Sequence, residues 1–390
     1  MASINCDIII IGGGVMGSSI AYHLLNDGFG GTVAILEKDP TYEFASSSLS
    51  AGGIRQQFST KVNIEIGLYG ITKIERFDEN MSVDGEPAHA EYRPIGYLIL
   101  GDAENWQALQ KQHRLQRSLG VNVELITPKN LRKMVPRLNT NGLLGASFGP
   151  RAGYTDPYGI LQGYLKKARS LGAEYLHAEV TGILRRGNRI IGIQTSRGDK
   201  IEGHAVVIAA GAWAAGVGAM AGANIPVDPS PRMIYRFDSA EKFDAGLPFL
   251  FSPRGHWCRP ETGGQFIAGK DREVPPGFRF EWDRLYFEET IWPELARLIP
   301  SFERLKLRRG WTGLYAVNRL DYNALIGAYP ELEGLYLAAG FSGHGLMQSP
   351  AVGKGISELI RTGRYTTIDL SPLGADRIIT GRRIMEEAVF

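Results

Sequence analysis

Residues 7–17, D-I-I-I-I-G-G-G-V-M-G, constrain this chain more than any other stretch. Ile8 to Ile11 form a short, β-branched apolar run, the pattern of a strand buried on both faces. Gly12, Gly14 and Gly17 follow in the spacing G-x-G-x-x-G. Residues 18–25 then read as a helix, with Ile20, Leu24 and Leu25 on one side. Strand, glycine turn and helix in that order predict a dinucleotide-binding crossover. The first glycine allows a tight turn, the second lets backbone approach a pyrophosphate, and the third lets helix and strand pack closely. The helix N-terminus presents free N–H groups to the phosphates. A second strand, residues 32–36, ends at Glu37, about 20 residues beyond Gly17, where a ribose-binding carboxylate belongs. An acid there accepts hydrogen bonds from the ribose hydroxyls and repels a 2′-phosphate. The rival reading of Glu37 is a solvated charge after a strand.

At 390 residues the chain suggests about two or three domain-sized units. With 44% hydrophobic and 22% charged residues it has a globular composition. A net charge of +2 without a basic block excludes an electrostatic case for nucleic acid or an anionic membrane. Two cysteines, Cys6 and Cys258, are too few for a disulfide framework or a metal-ligand set, so no metal site is expected. Residues 1–6 leave no room for a signal peptide before the first strand. No apolar stretch approaches the roughly 18 residues of a membrane span. The expectation is a soluble cytoplasmic protein.

Pieces of a nucleotide fold recur along the chain. The strand at 205–211 (A-V-V-I-A-A-G) and that at 335–339 are short buried runs ending at glycine. Elsewhere, 95–100, 179–184, 189–195, 233–237, 256–259 and 265–268 read as strands. Gly187-Asn188 marks a hairpin turn. Thr127-Pro128 and Asp156-Pro157 are helix starts with a capping residue and proline at the first position. Residues 104–119, 282–298 and 352–360 also read as helices. The expected fold class is α/β. A Rossmann-like nucleotide domain spans 1–75, 145–220 and 325–367, and a discontinuous mixed α+β cap spans 76–144 and 221–324. Residues 368–390 form a C-terminal tail.

The fingerprint, Glu37, the small-residue loop 46–53, Ala209-Ala210-Gly211 and the late G-F-S-G-H-G (340–345) together resemble the D-amino-acid oxidase/glycine oxidase/sarcosine oxidase superfamily. A finer resemblance is to the FAD-dependent oxidoreductase domain-containing protein 1 type. It is carried by 45–58 (A-S-S-S-L-S-A-G-G-I-R-Q-Q-F), 311–323 (W-T-G-L-Y-A-V-N-R-L-D-Y-N), 340–345 and 365–372. The resemblance implies FAD, with a glutathione-reductase-type nucleotide domain and the flavin ring at the domain interface. By resemblance Gly12, Gly14, Val15, Met16 and Gly17 surround the pyrophosphate. Glu37 and Lys38 lie at the adenosine ribose, and Ser46, Ser47, Ser50, Ala51 and Gly52 run past the ribityl chain and ring. Val180 meets the adenine, Ala210, Gly211 and Trp213 close the phosphate side, and Gly343, His344, Gly345 and Leu346 line the N1/O2 edge of the flavin. No cysteine stands near Gly313 and no histidine in 46–53, the attachment points of related enzymes, so the FAD is expected to be non-covalent.

For the substrate side the resemblance offers Arg55, which sets flavin potential or holds a substrate carboxylate; its rival role is a pair with an interface carboxylate. Tyr315 stands where glycine oxidases carry an arginine, with Arg319 as a substitute four residues on. Arg259 is a further candidate, facing either the pocket or away, and His344 lies beside the ring. Two departures stand out. Sarcosine oxidases place a lysine after G-H-G-F, where Leu346-Met347-Gln348 stands here. Their oxygen-activating cap lysine has no counterpart in 265–268, and Lys270 is expected past the strand end. The implied activity is hydride transfer to flavin from the carbon beside nitrogen in a secondary amine or amino acid, an N-substituted glycine or opine-like compound, followed by imine hydrolysis. Oxygen or another acceptor takes the electrons. Two alternatives stay open: an FAD-binding assembly protein docked to a partner subunit, and a 2-hydroxy acid oxidoreductase.

Overall fold

The computed structural model describes residues 4–240, 243 and 246–387. Its central strand is the isoleucine run. Ile8–Ile11 is buried throughout and lies between Ala205–Ile208 and Val33–Glu37, parallel to both. The six-stranded sheet has the order Leu325–Ala328, Leu335–Ala339, Ala205–Ile208, Ile8–Ile11, Val33–Glu37, Glu174–His177. Every neighbouring pair is parallel except the first. Ile8 and Ile10 point into one hydrophobic cluster, with the helices Val15–Asn26, Pro157–Ser170 and Gly345–Thr362. Ile9 and Ile11 point into another, against the four-stranded sheet that contains the 180–195 hairpin. Burial on both faces is why these strands read as unbroken apolar runs rather than alternations.

Two of the helices meet through small residues. A Cβ on Gly353 would lie 2.2 Å from Ser19 Oγ, and that hydroxyl donates to Ser349 O at 2.8 Å. The start signals at 127 and 156 act as caps: Thr127 Oγ1 accepts from Asn130 N, and Asp156 Oδ1 from Tyr158 N and Gly159 N.

The second sheet has eight strands, in the order Lys306–Asn318, Val227–Asp238, Gln265–Lys270, His256–Pro260, Phe249–Phe251, Tyr97–Gly101, Gly145–Gly149, Glu124–Ile126. Alternation sorts its two faces. Leu98, Leu250, Cys258, Ala268, Tyr235 and Phe237 enter a core against the 284–305 helical segment. Tyr97, Phe249, Phe251, Trp257, Ile234 and Arg232 face the other way, toward the nucleotide fold.

Four sequence expectations need correction. Gly145–Gly149 pairs with Tyr97–Gly101 and Glu124–Ile126, so it belongs to the eight-stranded sheet and not to the nucleotide piece drawn from 145. The helix expected over 282–298 is broken by a π-turn at Phe287–Ile291. Phe249–Phe251 and Lys306–Asn318 are strands the reading missed. Lys270 is the last residue of its strand and not beyond it. The described part of the tail packs back: Leu370 and Leu373 are buried, and Arg377 is fully buried against Asp321.

Candidate functional site

A cavity of about 580 Å³ opens at the carboxyl ends of the parallel strands, where ligands of such sheets sit. Gly12, Gly14, Val15 and Met16 line it, as do Glu37 and Lys38 after the second strand. Gly12 has φ +105°, and a Cβ there would lie 2.6 Å from Ala209 O. The missing side chains at Gly12 and Gly14 leave backbone open to the cavity. Glu37 shapes the turn itself, accepting from Gly13 N at 2.8 Å and Asp39 N at 2.9 Å. Burial raises its pKa against those hydrogen bonds. Ser47 Oγ accepts from Val15 N at 3.1 Å, tying the small-residue loop to the start of the first helix. Lys38 Nζ lies 3.9 Å from the centre of the Trp213 ring, and both residues line the same end with Val180, Ala210 and Gly211. This is a glycine-floored cradle with a carboxylate at the ribose position, which fits a dinucleotide.

At the other end the 340–345 turn meets Arg55. Gly340, Ser342 and Gly343 have φ of +70°, +48° and +97°, so the turn holds a strained, non-glycine residue between glycines. Ser342 N donates to Ala316 O, and its hydroxyl accepts from Asn318 N. A Cβ on Gly343 would lie 2.5 Å from the Tyr315 ring, so that ring rests on bare backbone. Helix Gly345–Thr362 starts here and turns its positive end to the cavity. Arg55 Nη2 donates to His344 Nε2 at 3.2 Å, Nη1 donates to Gln57 O, and the guanidinium lies 4.4 Å from the Phe58 ring centre. Arg55 has no carboxylate within ion-pair distance among the described residues, which removes the interface-pair reading. Burial, and then the Arg55 charge, hold His344 down to about 3, so its imidazole is neutral and accepts at Nε2.

The cap closes this end with Tyr97, Phe249, Phe251 and Trp257 beside Arg232 and Tyr315. Tyr97 and Phe249 are 4.4 Å apart, and the Trp257 ring fills the space a side chain on Gly269 would need. Arg232 lies 5.1 Å from the Tyr315 ring centre. Its Nη1 donates to Ser230 Oγ at 2.6 Å, and its Nε lies 3.0 Å from Asp271 Oδ2 without hydrogen-bond alignment.

Residues 7–359 match the family described as FAD dependent oxidoreductase. The chain belongs to this family. Its cofactor is therefore FAD, and the cradle and strained turn are the two ends of the FAD site. FAD-dependent oxidoreductase domain-containing protein 1 of Xenopus laevis is 36% identical, over 99% of this chain and 85% of that protein. Glycine oxidase of Geobacillus kaustophilus is 27% identical, over 96% and 97%. Among solved structures, L-proline dehydrogenase from P. horikoshii superposes with a TM-score of 0.89 and 30% identity, covering 98% of this chain and all of that one.

Of the residues expected at the oxidoreductase's site, Ser46, Ser47, Ser50, Ala51, Gly345 and Leu346 line the cavity with those already described. Four do not. Gly17 lies behind the turn, and Gly52 packs against Thr155 O, which a Cβ there would approach to 2.2 Å. Arg259 faces the nucleotide side but is spent within the protein, paired with Glu261, donating to Ala51 O and stacked 3.9 Å from Tyr154. Arg319 is a surface charge, 3.6 Å from Asp228. Cys258 is a small core residue, its thiol pushed up to about 12 by burial. The reading missed Arg232, Phe249 and Phe251. Proline at 229 and 231 hid the first half of the strand Val227–Asp238, read only from 233, and with it Arg232, because proline argues against a central strand.

Two buried histidines, His23 and His256, and the half-buried His344 make stability acid-sensitive. Burial lowers His23 and His256 to about 4 and His344 to about 3. The unfolded chain keeps them near 6.5, so it binds more protons as pH falls below that value. Their stabilising contribution is complete above about pH 6.5 and is lost toward pH 4, on the order of 3 kcal/mol each at most. The urea midpoint of the holoprotein is expected to drop steeply between pH 7 and 4.5. A flat midpoint over that range contradicts the neutral assignments.

Proposed function

We propose that the protein oxidises a C–N bond of a carboxylate-bearing secondary amine or amino acid, an N-substituted glycine, a cyclic imino acid or an opine-like compound. The observation that carries the reading is Arg232, set over Tyr315, which itself rests on Gly343 at the flavin end of the cavity. A cation in that place suits a substrate carboxylate, and the Tyr97–Phe249–Phe251–Trp257 wall suits the apolar part of an amine. The names of the relatives, L-proline dehydrogenase, glycine oxidase and a 4-methylaminobutanoate oxidase, support the class. Bound FAD supplies the two-electron acceptor for hydride from the carbon beside nitrogen, and the imine then hydrolyses. The protein's part is to orient that carbon, exclude water with the aromatic wall and stabilise charge through Arg55 and the helix start. We assign reoxidation to an acceptor other than oxygen, since residues 265–268 carry no lysine and Lys270, which lines the cavity, stands only at the end of that strand.

The test is anaerobic bleaching of the bound flavin with N-methyl amino acids, cyclic imino acids, opine-like amines and 2-hydroxy acids. A carboxylated secondary amine is expected to bleach it. Arg232→Met is expected to raise the half-saturating concentration about 30-fold, the loss of a charge-assisted contact, with a smaller change in limiting rate. Bleaching by hydroxy acids alone, or by nothing, overturns the assignment. Rapid peroxide release on readmitting air overturns the choice of acceptor.

A further inference from the structure

The turn after Arg55 is held from the far end of the chain. Glu386 accepts five hydrogen bonds from three residues that start the helix Lys61–Ile74. Ser59 N and Oγ donate at 2.7 and 2.6 Å, Thr60 N at 3.2 Å, and Asn63 Nδ2 at 2.7 Å, with Thr60 Oγ1 as the fifth donor. The side chain of the N-cap, Thr60, makes no capping bond, and its amide is served instead by a carboxylate 326 positions away.

The grip extends on both sides. Upstream, Phe58 O accepts from Gln116 Nε2 at 2.8 Å, and the Phe58 ring carries the Arg55 guanidinium. Downstream, Asn63 accepts from Gln348 Nε2 at 3.1 Å, within the first turn of the helix that begins beside His344. The tail itself is pinned by Asn323 Nδ2 to Ile384 O at 2.8 Å and by Gln112 Nε2 to Glu387 O at 2.8 Å. Glu386 thus stands where the Arg55 segment, the His344 helix, the 106–118 helix and the tail converge. Its charge also raises the Arg55 pKa, against the larger lowering by burial.

We infer that Glu386 is a positioning residue of the flavin site, fixing the Ser59–Thr60 turn so that Arg55 is held against His344. Its carboxylate touches neither cofactor nor substrate and acts through Arg55. The inference rests on family membership and not on which amine is oxidised.

Glu386→Gln removes the charge and leaves one accepting oxygen for five donors. It is expected to raise the FAD dissociation constant of the apoprotein about tenfold, the scale of lost charge-assisted hydrogen bonds, and to lower the midpoint potential of bound flavin. Glu386→Asp restores both in part. Ser59→Ala, which removes a single donor, shifts both in the same direction by less, and serves if the Gln variant does not fold. Glu387→Ala, which loses only the exposed Lys111 pair, leaves both unchanged. If the Gln or Ser59 variant melts earlier yet keeps the wild-type FAD affinity and potential, Glu386 is only a structural clamp and the inference falls.

Discussion

Gly17→Val is expected to yield a protein that binds no FAD. Gly17 is away from the cavity, so the effect is indirect. A Cβ at this position would lie 2.0 Å from Gly12 O and 3.0 Å from Ile10 Cγ2. Neither neighbour can yield cheaply. Gly12 already has φ +105° against Ala209 O, and Ile10 is fully buried in the central strand. The first helix must therefore swing off the sheet, carrying with it Val15 N and the Ser47 contact that shape the cradle. Forced overpacking of this kind costs on the order of 3 kcal/mol or more. Purification without flavin absorbance and a melting temperature lowered by several degrees are the expected readings. Gly30→Ala, at an exposed position with nothing within 4 Å, is the matched control and leaves both unchanged. Normal flavin content in Gly17→Val would show that the helix can shift without opening the cradle.

The nucleotide half of this site was legible because its chemistry is local. Strand, turn, helix and Glu37 lie within one crossover, and Gly12 and Gly17 are required by close approaches to Ala209 O and Gly12 O. The flavin-facing turn was legible for the same reason: Gly343 is needed beneath Tyr315, and His344 follows it directly. The substrate wall was not. Arg232, Phe249, Phe251 and Trp257 come from three strands whose order in the sheet follows no sequence order. Which of two alternating faces meets the flavin is set by packing of the opposite face against 284–305. Arg259 illustrates the limit. Its face was open in the sequence, and the structure puts it on the flavin side, but Glu261, two residues away, neutralises it there. The tail contact of Glu386 lay beyond any local reading, since helix capping normally comes from the adjoining residue.

The two halves also differ in how they are made rigid. The cradle is fixed by backbone, with Glu37 and Ser47 serving amides of the turn. The flavin end depends on side chains: a buried guanidinium, a neutral imidazole and a ring laid on glycine. Substitutions in the first half should act on cofactor affinity. Those in the second should act mainly on what the cofactor does once bound, with a loss of affinity of about tenfold or less.

Arg55→Met tests that division most directly. Among the described residues the Arg55 guanidinium is buried without a carboxylate in ion-pair range, and burial alone disfavours its charge. A buried arginine stays protonated nonetheless, so the site holds a fixed positive charge where flavin reduction brings negative charge. A preorganised donor of this kind is worth about 10²–10³-fold in rate. Arg55→Met is therefore expected to slow anaerobic flavin reduction by about that factor and to lower the flavin midpoint potential. The loss of FAD affinity should stay within about tenfold, because the cradle is untouched. Arg55→Lys keeps a charge but cannot serve His344 Nε2 and Gln57 O together, so it should recover the potential more than the rate. With His344 held to about 3, neither partner titrates between roughly pH 5 and 9, and the pair should leave no inflection in the rate profile there. Loss of that insensitivity in Arg55→Met, as His344 is freed from the neighbouring charge and moves up, would identify the imidazole as the group Arg55 keeps neutral. An unchanged reduction rate and potential would show that the buried guanidinium serves only to brace the Gln57–Phe58 turn.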